Sequence, residues 1–334
     1  MRSKIVVLSV ILLVSFGVHA EDYNTRPAVQ QFIQTMVQKH KIEASYLKQV
    51  FSNIETQDKI IKAMNRPFEQ APWYNYKIPF LSKERVQLGL EFWKKHKIHL
   101  EKAESKYGVP AAIIVAIIGV ETFYGRNTGN YLVLDTLATL AFNYPRRAAF
   151  FLSELEQFLL LIRDNKLNLH TIKGSYAGAM GTPQFMASSY RQYAVDFSGQ
   201  GQIDLMNNIV DAIGSVANYF HTHGWHKGDQ VICATTIKKN KKKMPSSLAK
   251  QLHVKLSKPY LPYAALQKAG VTLQSCKTPS LDTKVTLVQL HTENKEMEYW
   301  AGFNNFYVIT RYNRSYNYAM AVYELSQRLQ KGML

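Results

Sequence analysis

The stretch that most restricts what this chain can fold into is Ala111 to Val120, ten consecutive residues drawn only from Ala, Ile, Val and Gly. Pro110 precedes it and suits the first turn of a helix. A helix with no polar side chain on any face has to be buried on every face, so the rest of the chain must wrap it. Glu121 and Thr122 follow at once. Burying an unpaired carboxylate is costly. Desolvation, the negative end of the helix and any like charge nearby would each favour the neutral acid. On residues alone two readings stand side by side: a reactive acid, or an ion pair with Arg126, Arg146 or Arg147.

Helical periodicity extends from Pro27 to about Tyr107. Val29, Phe32, Ile33, Met36 and Val37, then Leu47, Val50, Phe51 and Ile54, recur at spacings of three and four. Asn65-Arg66-Pro67 and Ala71-Pro72 break the run, and the aromatic segment Trp73-Tyr74-Asn75-Tyr76 follows. Ser82 reads as an N-cap opening one long helix that stops at Gly108. Residues 109–229 are denser and more apolar. Beyond Gln230 the texture changes to short β-like runs, Val231 to Ala234, Lys284 to Leu290 and Glu298 to Trp300, joined by Lys- and Pro-containing connections. Asn305 to Ile309 reads as a strand or turn, and Tyr318, Val322, Leu325 and Leu329 mark a closing helix. The expected fold is mainly α, α+β overall: an N-terminal α domain at 21–108 completed by 306–334, a helical core at 109–229, and a small β-rich insert at 230–305.

The first twenty residues have a basic start, Arg2 and Lys4, an apolar run from Ile5 to Val18, and Ala20 at the end. They are read as a secretory signal peptide, too short to span a membrane. No cysteine lies near the cleavage point, so no lipoprotein anchor is expected, and the mature chain should not span a membrane. The 41 basic and 24 acidic residues leave +17. Such an excess calls for a polyanionic partner: nucleic acid, an acidic membrane or cell wall. Export argues against nucleic acid, and no recognition motif for it is present. The Lys238 to Lys243 run is either a solvated loop or a wall-binding patch. Cys233 and Cys276 share the insert. In an oxidising compartment they are expected to be bridged, the alternative being two buried thiols.

A second segment bears on Glu121. Gly174-Ser175-Tyr176-Ala177-Gly178-Ala179-Met180-Gly181 leads into Thr182-Pro183-Gln184-Phe185-Met186. Its glycines imply close backbone approach. Ser175 and Gln184 offer neutral hydrogen-bonding groups, and Tyr176 and Phe185 offer flat apolar faces. That combination suits a sugar, and a neutral carboxylic acid is what general-acid cleavage of a glycosidic bond requires.

Together, Ile118 to Gly125, Phe142 to Arg147, Gly178 to Gly181 with Gln184 to Met186, Asp211 to Phe220 and Arg311 to Asn313 resemble the lytic murein transglycosylases of the B type, glycoside hydrolase family 103. The resemblance runs from about Trp73 to the C-terminus and is weakest in the insert. It implies a lysozyme-like core flanked by an α domain and a small β domain, in a soluble periplasmic protein of a Gram-negative bacterium acting on peptidoglycan glycan strands. It implies cleavage of the β-1,4 bond between N-acetylmuramic acid and N-acetylglucosamine, leaving a 1,6-anhydromuramoyl end. The family's catalytic Glu falls on Glu121. Ser175, Gln184 and Phe185 would line the sugar subsites near the scissile bond. Tyr76, Tyr219, Tyr312, Asn313 and Tyr318 would add contacts, and Arg146 and Arg147 would face carboxylates. For each tyrosine, ordinary core packing is the competing role.

No cofactor is required by this chemistry. The family carries an EF-hand-like calcium loop, which here falls on Asp196, Ser198, Gln200 and Gln202, with Asp211 further on. Gln200 replaces a usual aspartate, so at most weak structural calcium is expected, since affinity follows ligand charge. Two rival functions remain: a goose-type lysozyme-like hydrolase using water, and a non-catalytic peptidoglycan-binding protein.

Overall fold

A computed structural model describes residues 22–65, 71–237, 246–253, 256–274, 276–293 and 296–334. The expected signal peptide and the Lys238 to Lys243 run lie outside the described residues. By contact the chain divides into two units, 1–55 and 56–334.

In the first unit a 3-10 turn at Tyr23–Thr25 leads into α1 (Pro27–His40) and α2 (Ala44–Ser52). Asp22 caps the turn by accepting from the Asn24 N–H, and the Asn24 amide reaches the Lys48 carbonyl at 2.9 Å. The three-and-four spacing seen in the sequence becomes a buried stripe of Val29, Phe32, Ile33 and Met36, facing Leu47, Val50 and Phe51. Phe32 and Phe51 meet edge to face at 5.8 Å.

The second unit begins with α3 (Asp58–Met64), α4 (Trp73–Tyr76), α5 (Lys83–Lys95), α6 (Lys97–Tyr107) and α7 (Ala111–Thr122). Next come β1 (Tyr131–Leu132), α8 (Val133–Asn143), α9 (Ala148–Asn165), β2 (Lys173–Gly174), α10 (Ala187–Tyr193) and α11 (Ile209–Thr222). All ten residues of the apolar run are buried. Packed around α7 are α5, α6, α11 and the C-terminal helix α15 (Tyr316–Met333). Each fully buried Ile or Val there contributes roughly 1.5–3 kcal/mol, which fixes the one helix that cannot be turned outward.

The long helix expected between Ser82 and Gly108 is two. Ser82 does cap α5, accepting from the Arg85 N–H at 3.2 Å. His96 then ends α5 and begins α6. The break lets each apolar face meet a different partner: α5 packs on α7 and α15, whereas α6 packs mainly on α11.

Between α11 and α14 (Asn304–Tyr312) lies the β module: β3 (Ile232–Ile237), α12 (Ser246–Ala249), β4 (Leu261–Pro262), α13 (Tyr263–Lys268), β5 (Val271–Leu273), β6 (Lys284–His291) and β7 (Met297–Gly302). Its antiparallel sheet has the order β4-β6-β7-β3-β5, with Cys233 opposite Ala301 and Leu287 opposite Ala301 on the other side. It has its own core of Leu248, Tyr263, Leu266, Val271, Val285, Leu287 and Phe303. Cys233 and Cys276 are joined by a disulfide, Cα to Cα 6.1 Å. The segment Asn305 to Ile309, rich in β-formers and read as strand or turn, is helical as part of α14. Tertiary burial of Phe306, Val308 and Ile309 overrides local preference there. Among the described residues no single helix is long and apolar enough to cross a membrane.

Candidate active site

Where α7 ends, its backbone is held unusually firmly. Phe123 and Tyr124 both adopt left-handed conformations, φ 53° and 63°. The Phe123 and Tyr124 N–H groups return to the Gly119 and Ile118 carbonyls. For non-glycine residues this costs of order 1–3 kcal/mol each, and such residues gather at functional sites. Arg85 offsets the strain. Its guanidinium donates to the Gly119 carbonyl, lies over the rings of Phe123 at 4.5 Å and Phe80 at 5.4 Å, and donates through Nε to Pro79. Burial lowers the Arg85 pKa, against the fields of Tyr124 and Glu84. The Tyr124 hydroxyl closes the group on the Arg85 carbonyl at 2.8 Å. Sequence reading missed Arg85 and Tyr124. Thr122 then ties the helix end to the glycine-rich loop, its hydroxyl donating to the Thr182 carbonyl at 2.9 Å.

Glu121 projects from this anchored end, half-buried where the ten residues before it are buried. The Tyr318 hydroxyl donates to Glu121 Oε1 at 2.5 Å. Tyr318 belongs to a rosette of rings. It stacks on Tyr312 (6.4 Å, 12° between planes), which contacts Tyr219 at 4.8 Å and Phe185 at 5.8 Å. The Tyr312 hydroxyl donates to the Pro183 carbonyl and that of Tyr219 to the Arg311 carbonyl, both at 2.6 Å. Burial first, then the nearby Glu121 carboxylate, pushes the phenols of Tyr312 and Tyr318 well above their usual range. Tyr219 rises too, through burial, Tyr193 and Glu121. These groups therefore stay neutral donors. Tyr76, buried on α4, acts electrostatically on Tyr318 and packs between Trp73 and Phe80.

The segment 174–186 meets the rosette through Phe185 and the Pro183 carbonyl. A side chain at Gly174 would run into the Ala179 carbonyl, so only glycine permits this turn. The Ser175 hydroxyl accepts from the Ala177 and Ala179 N–H groups, which leaves its own proton to donate outward. Gln184, at φ 52°, spends both amide hydrogens on the carbonyls of Thr128 and Gly181, leaving Oε1 as an acceptor. Phe185 is held by reciprocal backbone bonds with Met180. Asn313 ends α14, one residue past Tyr312.

Arg146 and Arg147 lie on an exposed 3-10 turn, Pro145–Arg147, where Arg147 lies over Phe150 at 4.3 Å. Arg126 is exposed, its guanidinium 5.8 Å from the Phe123 ring. Three further carboxylates, Asp135, Glu154 and Asp211, are buried in the described residues. Glu154 accepts from both the N–H and the hydroxyl of Ser188, and Asp211 from three backbone N–H groups, which marks both as structural.

In the 196–211 loop the expected calcium ligands are engaged with the backbone and with one another. Asp196 accepts from the N–H groups of Gly199, Gln200 and Gly201 and from the Ser198 hydroxyl. Against the effect of burial, those backbone donors hold its carboxyl below the usual range. The Asn208 amide donates to Ser198 Oγ at 3.0 Å and faces Gln200 Oε1 at 3.5 Å. The Asn208 amide thus faces two of these oxygens, and a cation taking both would have to displace it. Among the described residues no three His, Cys, Asp or Glu side chains are grouped to hold a metal.

Residues 24–327 match the family model described as the transglycosylase SLT domain. The chain is 43% identical over 319 residues, 92% of its own length and 83% of the relative's, to membrane-bound lytic murein transglycosylase B of Escherichia coli strain K12. Its structure resembles that of the lytic transglycosylase SltB1 of Pseudomonas aeruginosa, with TM-score 0.85 and 43% identity over 93% of this chain and 99% of the other. SltB3 of the same organism, solved in complex with NAG-anhNAM-pentapeptide, matches at TM-score 0.77 and 27% identity over 93% of this chain and 80% of that one.

Proposed function

Because this chain belongs to the SLT transglycosylase family, we propose that it cuts the β-1,4 bond between N-acetylmuramic acid and N-acetylglucosamine in peptidoglycan, with Glu121 as the one acid and base. The observation that carries this reading is the phenol of Tyr318 set on Glu121 at the anchored end of α7. The acid is held in a fixed orientation beside an aromatic wall. Glu121 gives its proton to the glycosidic oxygen as the bond to C1 of the muramoyl residue breaks. The sugar's own acetamido oxygen stabilises the cationic carbon. Glu121, now a carboxylate, takes the proton from the C6 hydroxyl, and O6 bonds to C1. The product is the 1,6-anhydro sugar, and no water is consumed. Nucleophile and stabiliser both come from the substrate, so proximity replaces a second protein carboxylate and no cofactor is needed.

In this reading the outward hydroxyl of Ser175 and the acceptor oxygen of Gln184 bind sugar hydroxyl and acetamido groups. Phe185, Tyr219 and Tyr312 form the apolar wall. Tyr318 and Tyr76 keep Glu121 in position, Asn313 contacts the sugar beyond Tyr312, and Arg146 and Arg147 meet peptide or lactyl carboxylates further out. Within the second unit, the helices before residue 108 and after 306 frame the core at 109–229, and 230–305 form the β module. Export of the mature protein to the periplasm follows from the leader. Digestion of purified sacculi tests the reaction: products one water lighter than those of a hydrolase are expected. Reducing muramoyl ends would assign the chain to the hydrolases instead.

A further inference from the structure

Where the chain leaves α11 for the β module and where it returns to α14, a cavity of 430 Å³ lies between the two crossings. Lys258, Lys277 and Lys284, from three segments distant in sequence, line it. Among the described residues none of the three forms an ion pair. Asp229, on the same rim, lies within hydrogen-bonding distance of His226 at 3.2 Å. The neutral amides on the rim are also committed: Gln230 donates to the Lys277 carbonyl and Asn304 to the Gly224 carbonyl, both at 2.7 Å. Three lysines lining one concavity favour an anion there.

The cavity has a defined shape as well as charge. Phe303, buried in the module's core, supplies apolar lining. The Cys233–Cys276 disulfide fixes the backbone next to Lys277 to β3. The position is informative too. Asn304 on the cavity rim begins α14, and Tyr312 beside Tyr318 ends it. At about 1.5 Å per residue, the helix separates them by ~12 Å. Four extended peptide residues reach about 13–14 Å.

We infer that this cavity is a carboxylate-binding site for an acidic peptide attached to the sugar held at Glu121. The inference rests on the chain acting on peptidoglycan. It gives the β module a task, which is to read the peptide while the helical core cuts the glycan.

The test uses the full-length, disulfide-bonded protein. Calorimetry would measure binding of three probes: a free stem-type tetrapeptide (Ala-γ-Glu-diaminopimelate-Ala), glutarate and inorganic phosphate. The variant carries Lys258→Gln, Lys277→Gln and Lys284→Gln. A control removes three other exposed lysines, Lys94, Lys95 and Lys331. The expected result is about a tenfold loss of tetrapeptide affinity in the cavity variant and little change in the control. KM for peptide-bearing strands should rise with kcat unchanged, and strands stripped of peptide should be cut as by the wild type. Equal losses in both variants, or unchanged tetrapeptide binding, would overturn the site. Phosphate binding more tightly than the tetrapeptide and displacing it would overturn the carboxylate assignment. Tetrapeptide binding needs no cleavage, so a wild-type protein that binds it but cuts no strand would refute the reaction and leave the cavity standing.

Discussion

The end of α7 and the loop at 196–211 both place carboxylates in the helical core, and they treat them in opposite ways. Asp196 and Asp211 are surrounded by N–H groups: the backbone turns in toward the charge, and almost every lone pair has a donor. Glu121 meets a phenol at the mouth of an aromatic rosette, at the end of a helix whose own carbonyls are taken by Arg85 and by the left-handed turn. In the first environment the backbone donors hold the Asp196 carboxyl below its usual range. The second holds a carboxyl group in place through a neutral donor. On the proposed reading, the neighbours' donor type separates a structural acid from a reactive one better than burial does.

The largest effect expected from this contrast is on Glu121→Gln, which should lower the rate of anhydromuropeptide release by about 10³-fold or more while sacculi binding persists. Near-normal clearance would put the chemistry elsewhere. The disulfide comes next. Replacing Cys233 and Cys276 by Ser should reduce stability by about 2–4 kcal/mol, read as a lower denaturation midpoint, with cleavage retained where the variant is folded. Tyr318→Phe removes a phenol that donates to the acid and should reduce kcat by about 10–100-fold with KM little changed, since a hydrogen bond to a charged group is worth roughly 1.5–3 kcal/mol. An unaltered kcat would reduce the rosette to packing.

A smaller effect concerns pH. His223 stacks on Tyr219 at 4.1 Å. Its folded pKa lies below the ordinary 6.5 because of burial, with Arg311 acting in the same direction and the Tyr219 carbonyl opposing both. Above pH 6.5 its contribution is fully present. As the pH falls below 6.5 the unfolded chain takes up a proton that the folded chain resists, so stability declines. Melting curves from pH 7.5 to 5.5 should slope downward, less steeply in His223→Gln; His96, lowered likewise by burial and by Lys95 and His99, adds to the background slope. Smallest of all, millimolar calcium or a chelator should leave the melting temperature unchanged. A rise of several degrees with calcium would show that the Asn208 amide yields to a cation after all.

How much of this could be read in advance depended on distance along the chain. The ten apolar residues ending at Glu121 were visible because a fully buried helix leaves an unmistakable pattern. The β runs were visible through their period and their separators. The break at His96 was not, because it follows from α5 and α6 choosing different partners, which no local signal encodes. The helix through Asn305 to Ile309 was misread because its β-branched and aromatic residues serve a core, not a sheet. The rosette was hidden for another reason: Tyr318 and Glu121 are 197 positions apart. The glycines and Gln184 announced a tight wall. The arginine bracing α7 gave no sign beyond being a charge in an amphipathic helix.

Finally, the Phe303 N–H is bonded to the Val231 carbonyl at 2.9 Å, exactly where the β module is entered and left. A pinch of this kind makes everything between the two residues a cassette. Evolution can lengthen, trim or exchange that cassette while the helices on either side stay in register. Enzymes built this way can diversify what they recognise without reopening the question of how they cut.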